Sequence, residues 1–119
     1  MGMQLQETLA PAFAASGSDH IALLRAAWPI LAHADADPIF ALFFEATGLA
    51  AAGRDPYRSL MPQLVDIWIA WTAEFVPGTP KQRRTEAETA IALLDGLLLL
   101  RQVTGPTAAE RAAKRLGIR

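Results

Sequence analysis

The sequence predicts an all-α domain of about six helices and no strand, on three observations. Alanine occurs twenty-four times in 119 residues and valine three times, a balance that favours helix over sheet. Glycines at Gly17, Gly53, Gly78, Gly105 and Gly117 stand where helices would end. Between them, apolar residues recur at three- and four-residue intervals. A chain of this length is one domain with a real core, and no repeat or linker marks a second.

The first helix is expected from about Gln4 to Ala15, with Leu5, Leu9 and Phe13 on one line and Pro11 kinking or shortening it. Met1-Gly2-Met3 reads as an added start, with the native chain resuming at Met3. After Gly17, Ser18 and Asp19 are expected to cap a second helix to about Ala34, which carries Ile21, Leu24, Trp28 and Leu31 and is bent or divided by Pro29. Asp37-Pro38 reads as a capping carboxylate followed by proline at the first helical position, opening a third helix to about Ala52. Asp55-Pro56 repeats that start for a fourth helix to about Val76, with Leu60, Leu64, Ile67, Trp68, Trp71 and Phe75 on one face.

Pro77-Gly78-Thr79-Pro80 reads as a loop. Thr85 with Glu88 reads as a capping box for a long fifth helix, and Thr107 with Glu110 as another for a short sixth helix to about Leu116. The fifth helix is apolar nearly all round. Ala87, Ile91, Leu94 and Leu98 share one side, Ala90, Leu93, Leu97 and Leu100 continue it, and Ala92, Gly96, Leu99 and Val103 cover most of the rest. Its firmly polar seam is Glu88, Asp95 and Gln102, seven residues apart. A helix of this kind is buried on more than one side. In so short a chain, one of those sides is expected to meet a second molecule.

Composition narrows the function. Hydrophobic residues make up 52% and charged residues 19%, with a net charge of −1, which suits a globular fold and provides no basic field for gripping nucleic acid. With no cysteine there are neither disulfides nor thiolate metal sites, and a cytoplasmic location is the expectation. The longest apolar run is broken by Asp95 and Arg101, far short of the ~20 residues that a membrane span requires. No basic region precedes an apolar block at the N-terminus, so no secretory signal is expected.

Three stretches carry a resemblance. Leu42-Phe43-Phe44-Glu45-Ala46-Thr47-Gly48-Leu49-Ala50, then Pro56-Tyr57, then Val65-Asp66-Ile67-Trp68-Ile69-Ala70-Trp71 resemble the C-terminal regulatory domain of TetR-family transcriptional repressors. Leu93-Leu94-Asp95-Gly96-Leu97-Leu98-Leu99, followed by Thr104-Gly105 and a short last helix, continues the likeness. It runs from about Leu5 to Leu116 and rests more on the order and lengths of the helices than on single motifs. The resemblance implies an orthogonal, bundle-like helical domain. Its last two long helices would pair with those of a second copy, and the preceding helices would enclose an apolar ligand cavity. Effector binding would shift two N-terminal DNA-binding heads. The family's head needs roughly fifty residues before this point and is not among these 119, so this polypeptide, whether a piece of a repressor or a headless relative, is expected not to bind an operator itself.

Candidate residues follow. Trp28, Phe40, Phe43, Phe44, Leu64, Trp68, Trp71 and Phe75 are candidates for a ligand pocket between the second, third and fourth helices, since rings can wall a cavity and indole N–H groups can donate to a guest. For any one of them core packing is the better reading; taken together they give an unusually large apolar surface for so small a domain. Ala92, Asp95, Gly96, Leu99 and Val103 are candidates for the dimer interface. Ala92 and Gly96 would allow close approach of a partner backbone, while Asp95 would sit at the rim, satisfied by water or by the partner's Arg101, or simply face solvent. The acids and histidine of His33-Ala34-Asp35-Ala36-Asp37 match no zinc spacing, and His20 lies in no Glu-x-x-His motif, so no metal or cofactor is expected. Asp66 and Glu74 share a polar face with Ser59 and Gln63, and no phosphate loop or nucleophile motif stands out, so no catalytic residue is assigned. Lys81, Arg83 and Arg84 read as a solvated cluster. The reading is therefore a homodimeric sensor of an apolar small molecule. A dimerisation module with a filled core, and a small helical enzyme, remain as alternatives.

Overall fold

The computed structural model describes residues 2–16 and 19–119, with side chains from Gln4 onward. Among the described residues the chain is all-helical: α1 (Gly2–Ser16), α2 (His20–Leu31), α3 (Asp37–Ala51), α4 (Tyr57–Ala73), α5 (Pro80–Thr104) and α6 (Pro106–Arg115). The six expected helices are present. The assigned helices run through Pro11, Pro29 and Pro62 without a break. Among the described residues no helix is long and apolar enough to cross a membrane.

α5 is the spine, contacting α2, α3, α4 and α6, while α1 packs on α2 and α3 on α4. The core gathers Leu9 and Phe13 of α1, Leu23, Leu24, Ala27, Trp28 and Leu31 of α2, and Ala90, Leu97 and Leu98 of α5. α6 presents Ala109 and Ala113, both fully buried, and Ile118 follows beyond its end. Small side chains on the inner face of α6 let its backbone lie close to the core. Gly105, at φ 96°, turns the chain between α5 and α6 with a backbone conformation that an L-residue rarely adopts.

The helix ends differ from the sequence reading where a carboxylate or hydroxyl has a better partner. Asp19 caps α2 as expected, accepting from the Ala22 N–H at 2.9 Å, while Ser18 lies outside the described residues. α2 stops at Leu31 rather than near Ala34. Asp37 does not cap α3: it is the first helical residue, after Ala36, and its carboxylate is taken by Arg101 of α5. α4 begins one residue after Pro56, at Tyr57, following a cis Asp55–Pro56 bond. α5 begins at Pro80, nearly two turns earlier than expected, because Thr79 and Gln82 form the capping box. Thr85 is already inside the helix and donates back to Lys81 O. The Thr107–Glu110 box does not form either, since Glu110 accepts from Trp28 Nε1–H at 3.1 Å and pairs with Arg119.

Several polar contacts lock helices that are distant in sequence. Arg101 grips Asp37 through two hydrogen bonds, Nε to Oδ1 at 2.7 Å and Nη2 to Oδ2 at 3.0 Å, and Gln102 Nε2 donates to Asp37 O at 2.9 Å. The Arg101 guanidinium holds the Asp37 carboxyl below the usual carboxylate range. The first turn of α3 is thereby fastened to the last turns of α5. At the other end of α5, Glu86 accepts from the His20 N–H at 2.8 Å and lies 2.7 Å from His20 Nδ1. These bonds, the ring contact first, keep the Glu86 carboxyl low. The cluster expected to be merely solvated does more: Arg83 Nε donates to Ala73 O at the end of α4, and Arg84 bonds Asp66.

Candidate functional site

Five helices line an apolar cavity of about 120 Å³ that is partly open to solvent. α1 contributes Leu5, Leu9 and Phe13, and α2 contributes Leu23, Leu24, Ala27 and Leu31. α3 adds Ile39, Phe40 and Phe43, and α4 adds Leu64, Val65, Trp68 and Thr72. The remaining wall is α5, through Ala90, Ile91, Leu94 and Asp95. A void of this order, lined by aliphatic and aromatic side chains, matches in size those that accept a single ring or a short branched alkyl group. It is smaller than the cavities that hold drug-sized ligands.

The aromatic candidates divide into two groups. Phe40, Phe43, Leu64 and Trp68 line the cavity. Trp28, Phe44, Trp71 and Phe75 do not. Trp28 is 2% exposed and is spent on core packing and its bond to Glu110. Trp71 and Phe75 stack behind the cavity wall with ring centroids 5.0 Å apart, each also touching Phe13. Trp68 meets Trp71 edge to face at 5.5 Å, and Phe44 leans on Phe43 at 5.4 Å. The second group thus backs the first, in the tilted and edge-on geometries that aromatic pairs favour. The sequence reading missed the contribution of α1, since it placed the pocket among the second to fourth helices. The four-residue line Leu5, Leu9, Phe13 was the available signal.

The five interface candidates also separate. Ala92, Gly96, Leu99 and Val103 form an exposed stripe along α5, with Leu99 46% and Val103 74% exposed. A Cβ added at Gly96 would meet nothing within 4 Å, so the stripe is open at its narrowest side chain. Asp95 corrects the expectation. It is partly buried and lines the cavity rather than the rim of the stripe, and the Arg101 suggested for it is held by Asp37 of the same chain. The Glu88–Asp95–Gln102 seam is not a single solvent edge: Glu88 pairs with Arg84, and Gln102 is bonded to α3.

Asp95 is the one titratable group in the cavity lining; the other polar side chain there is Thr72, 4% exposed. Burial without a hydrogen-bonding or charged neighbour pushes the Asp95 carboxyl up to about 6 from an ordinary 3.8. Elsewhere, His33 Nδ1 accepts from the Asp35 N–H, and Asp37 is committed to Arg101. Among the described residues no group of three or more acidic or histidine side chains is placed to hold a metal ion.

Taken together, the fold and site define a helical domain with an apolar pocket and an exposed apolar stripe on α5, while Leu42 of α3 and Leu60 and Ile67 of α4 are exposed elsewhere. Comparison with known protein families, with curated proteins and with solved structures finds no match for this chain.

Proposed function

We propose that this chain is the effector-binding and dimerising domain of a TetR-like transcriptional regulator, without catalytic activity. The observation that carries the reading is the double use of α5. One side of it walls the apolar cavity through Ile91, Leu94 and Asp95, while another leaves Ala92, Gly96, Leu99 and Val103 uncovered. Covering such a stripe stabilises by roughly 25 cal/mol per Å² of apolar area removed from water, and a second copy of the same face is the simplest cover. The effector would be a small, mostly apolar molecule, and its binding would favour one arrangement of the dimer over another. In the regulators that the chain resembles, that difference is read by a DNA-binding head, which these 119 residues do not include. Binding is preferred to catalysis because the cavity offers a lone carboxyl with no second titratable group to share proton transfer. A dimerisation module with a filled core is less well supported, since the space beside Phe40, Phe43 and Trp68 is open.

Sedimentation equilibrium tests the assembly. The wild-type chain is expected to run at twice its mass, and the double variant Leu99→Glu, Val103→Glu at the monomer mass with its helical circular dichroism intact. A wild-type monomer at high protein concentration would refute the dimeric reading.

A further inference from the structure

We propose that the cavity selects small apolar amines, receiving the ammonium group at the Asp95 carboxylate and the hydrocarbon body among Phe40, Phe43 and Trp68. The inference rests on the effector-binding reading above and names the chemical class that the site takes.

The cavity holds no counter-charge for its one carboxyl among the described residues. Its walls are aliphatic and aromatic on all five helices, and no lysine, arginine or histidine lines it. Asp95 therefore has a charge and no counter-charge. The carboxyls of Asp37 and Glu86, by contrast, are each met by a named partner from another helix. Asp95 is partly buried, so its charge is partly withdrawn from water, and among the described residues no side chain compensates it. A guest that brings a cation does so. A guest that brings only a hydroxyl can donate to the carboxylate but leaves its charge uncompensated.

The surrounding rings act in the same direction. Phe13, Phe40, Phe43 and Trp68 line the same space, and aromatic faces attract organic cations, most of all where water is thin. Size sets the remaining limit. About 120 Å³ suits one ring or a short branched chain carrying one amine. A metal ion is a poor alternative, because the walls supply one carboxylate and one hydroxyl where hard cations take six or more oxygens.

The proton behaviour of the site follows. An ammonium group favours the ionised carboxylate, so bound amine must lower the pKa of Asp95 from about 6. Near that pH the chain should release a proton as the amine binds, and affinity should fall as pH drops below it. No other titratable side chain faces Asp95 from any of the five helices, so the effect belongs to this one group.

Isothermal titration with benzylamine and benzyl alcohol, near-isosteres that differ in charge, tests the proposal on the wild-type chain at pH 8. Benzylamine is expected to bind about tenfold or more tightly than the alcohol. Asp95→Asn is expected to abolish that preference. Titrations at pH 6 in two buffers of different ionisation enthalpy provide a readout that needs no variant, with proton release expected for the amine alone. Binding of the alcohol with no preference for the amine would overturn the amine proposal and leave the cavity reading standing. Retention of the preference in Asp95→Asn would overturn it equally. Failure of both compounds to bind would remove the cavity reading together with it.

Discussion

Replacing Asp95 by asparagine should stabilise the protein, and the gain should depend on pH in a sense opposite to ordinary acid denaturation. The carboxyl is raised from 3.8 to about 6 in the folded chain by burial. The folded state therefore binds this proton more tightly than the unfolded state does. Below about pH 4 both states are protonated and the charge penalty is absent; it grows as the pH rises between the two values and is complete above the folded one. At 1.36 kcal/mol per unit, the folded chain carries up to about 3 kcal/mol of penalty at pH 8. Asparagine keeps the shape and never ionises, but its buried amide costs about 1 kcal/mol of its own when imperfectly bonded. The expected gain is then about 1–3 kcal/mol at pH 8, shrinking to zero or slightly below at pH 4. Against the 5–15 kcal/mol typical of a whole domain, that is readily measured. Urea unfolding followed by tryptophan fluorescence at fixed protein concentration serves as the assay, read as the difference between variant and wild type at each pH. Asp37 and Glu86, whose carboxyls are held low, lose their stabilisation as pH falls in both proteins, and so cancel from the difference. A gain independent of pH, or a loss at pH 8, would show that Asp95 is not a buried, unpartnered charge.

Two further outcomes follow from the packing. Leu98→Ala, at a side chain 1% exposed where α5 meets the core, should lower unfolding stability by about 2–5 kcal/mol; a loss below about 1 kcal/mol in a denaturant titration would mean that the surrounding core collapses onto the site. Arg101→Gln should cost about 1–2 kcal/mol at pH 7, since it breaks the paired hydrogen bonds to Asp37, and the loss should shrink only as the pH falls below the usual carboxylate range and the lowered Asp37 carboxyl takes up its proton; a loss independent of pH would assign the effect to packing of the arginine stem instead.

How much of this was legible in the sequence depended on the range of each interaction. Asp19 was readable as a cap because the N–H it satisfies lies three residues away. Asp37 followed the same local rule and failed it, since its partner Arg101 is 64 positions distant and offers two charged donors against one backbone amide. The start of α5 was misplaced because two capping boxes competed within one stretch, and proline at the first helical position favours Thr79–Gln82. For the cavity, aromatic content identified Phe40, Phe43 and Trp68 but gave no means of separating them from Trp71 and Phe75, which stand one ring behind. Asp95 was assigned to a polar seam by its seven-residue spacing from Glu88 and Gln102. Its helical neighbours at i−4 and i+3, Ile91 and Leu98, pointed to the interior. Which of the two signals governed was decided by where α1 and α3 dock, a tertiary fact outside any single helix.

The clasp between Asp37 and Arg101 makes a mechanical unit of two helices. Phe40 and Phe43 follow Asp37 by one and two turns on α3, and Leu99 and Val103 flank Arg101 on α5. A guest that presses those rings outward moves a rod whose first residue is tied to the far end of another rod, ~37 Å long at 1.5 Å per residue. In the proposed dimer, tilting a rod of that length by about 5° would displace its tip by roughly 3 Å, enough to take two facing leucines out of register. On that proposal, filling a space no larger than one ring would be geared to the outer surface of the molecule through the Asp37–Arg101 clasp.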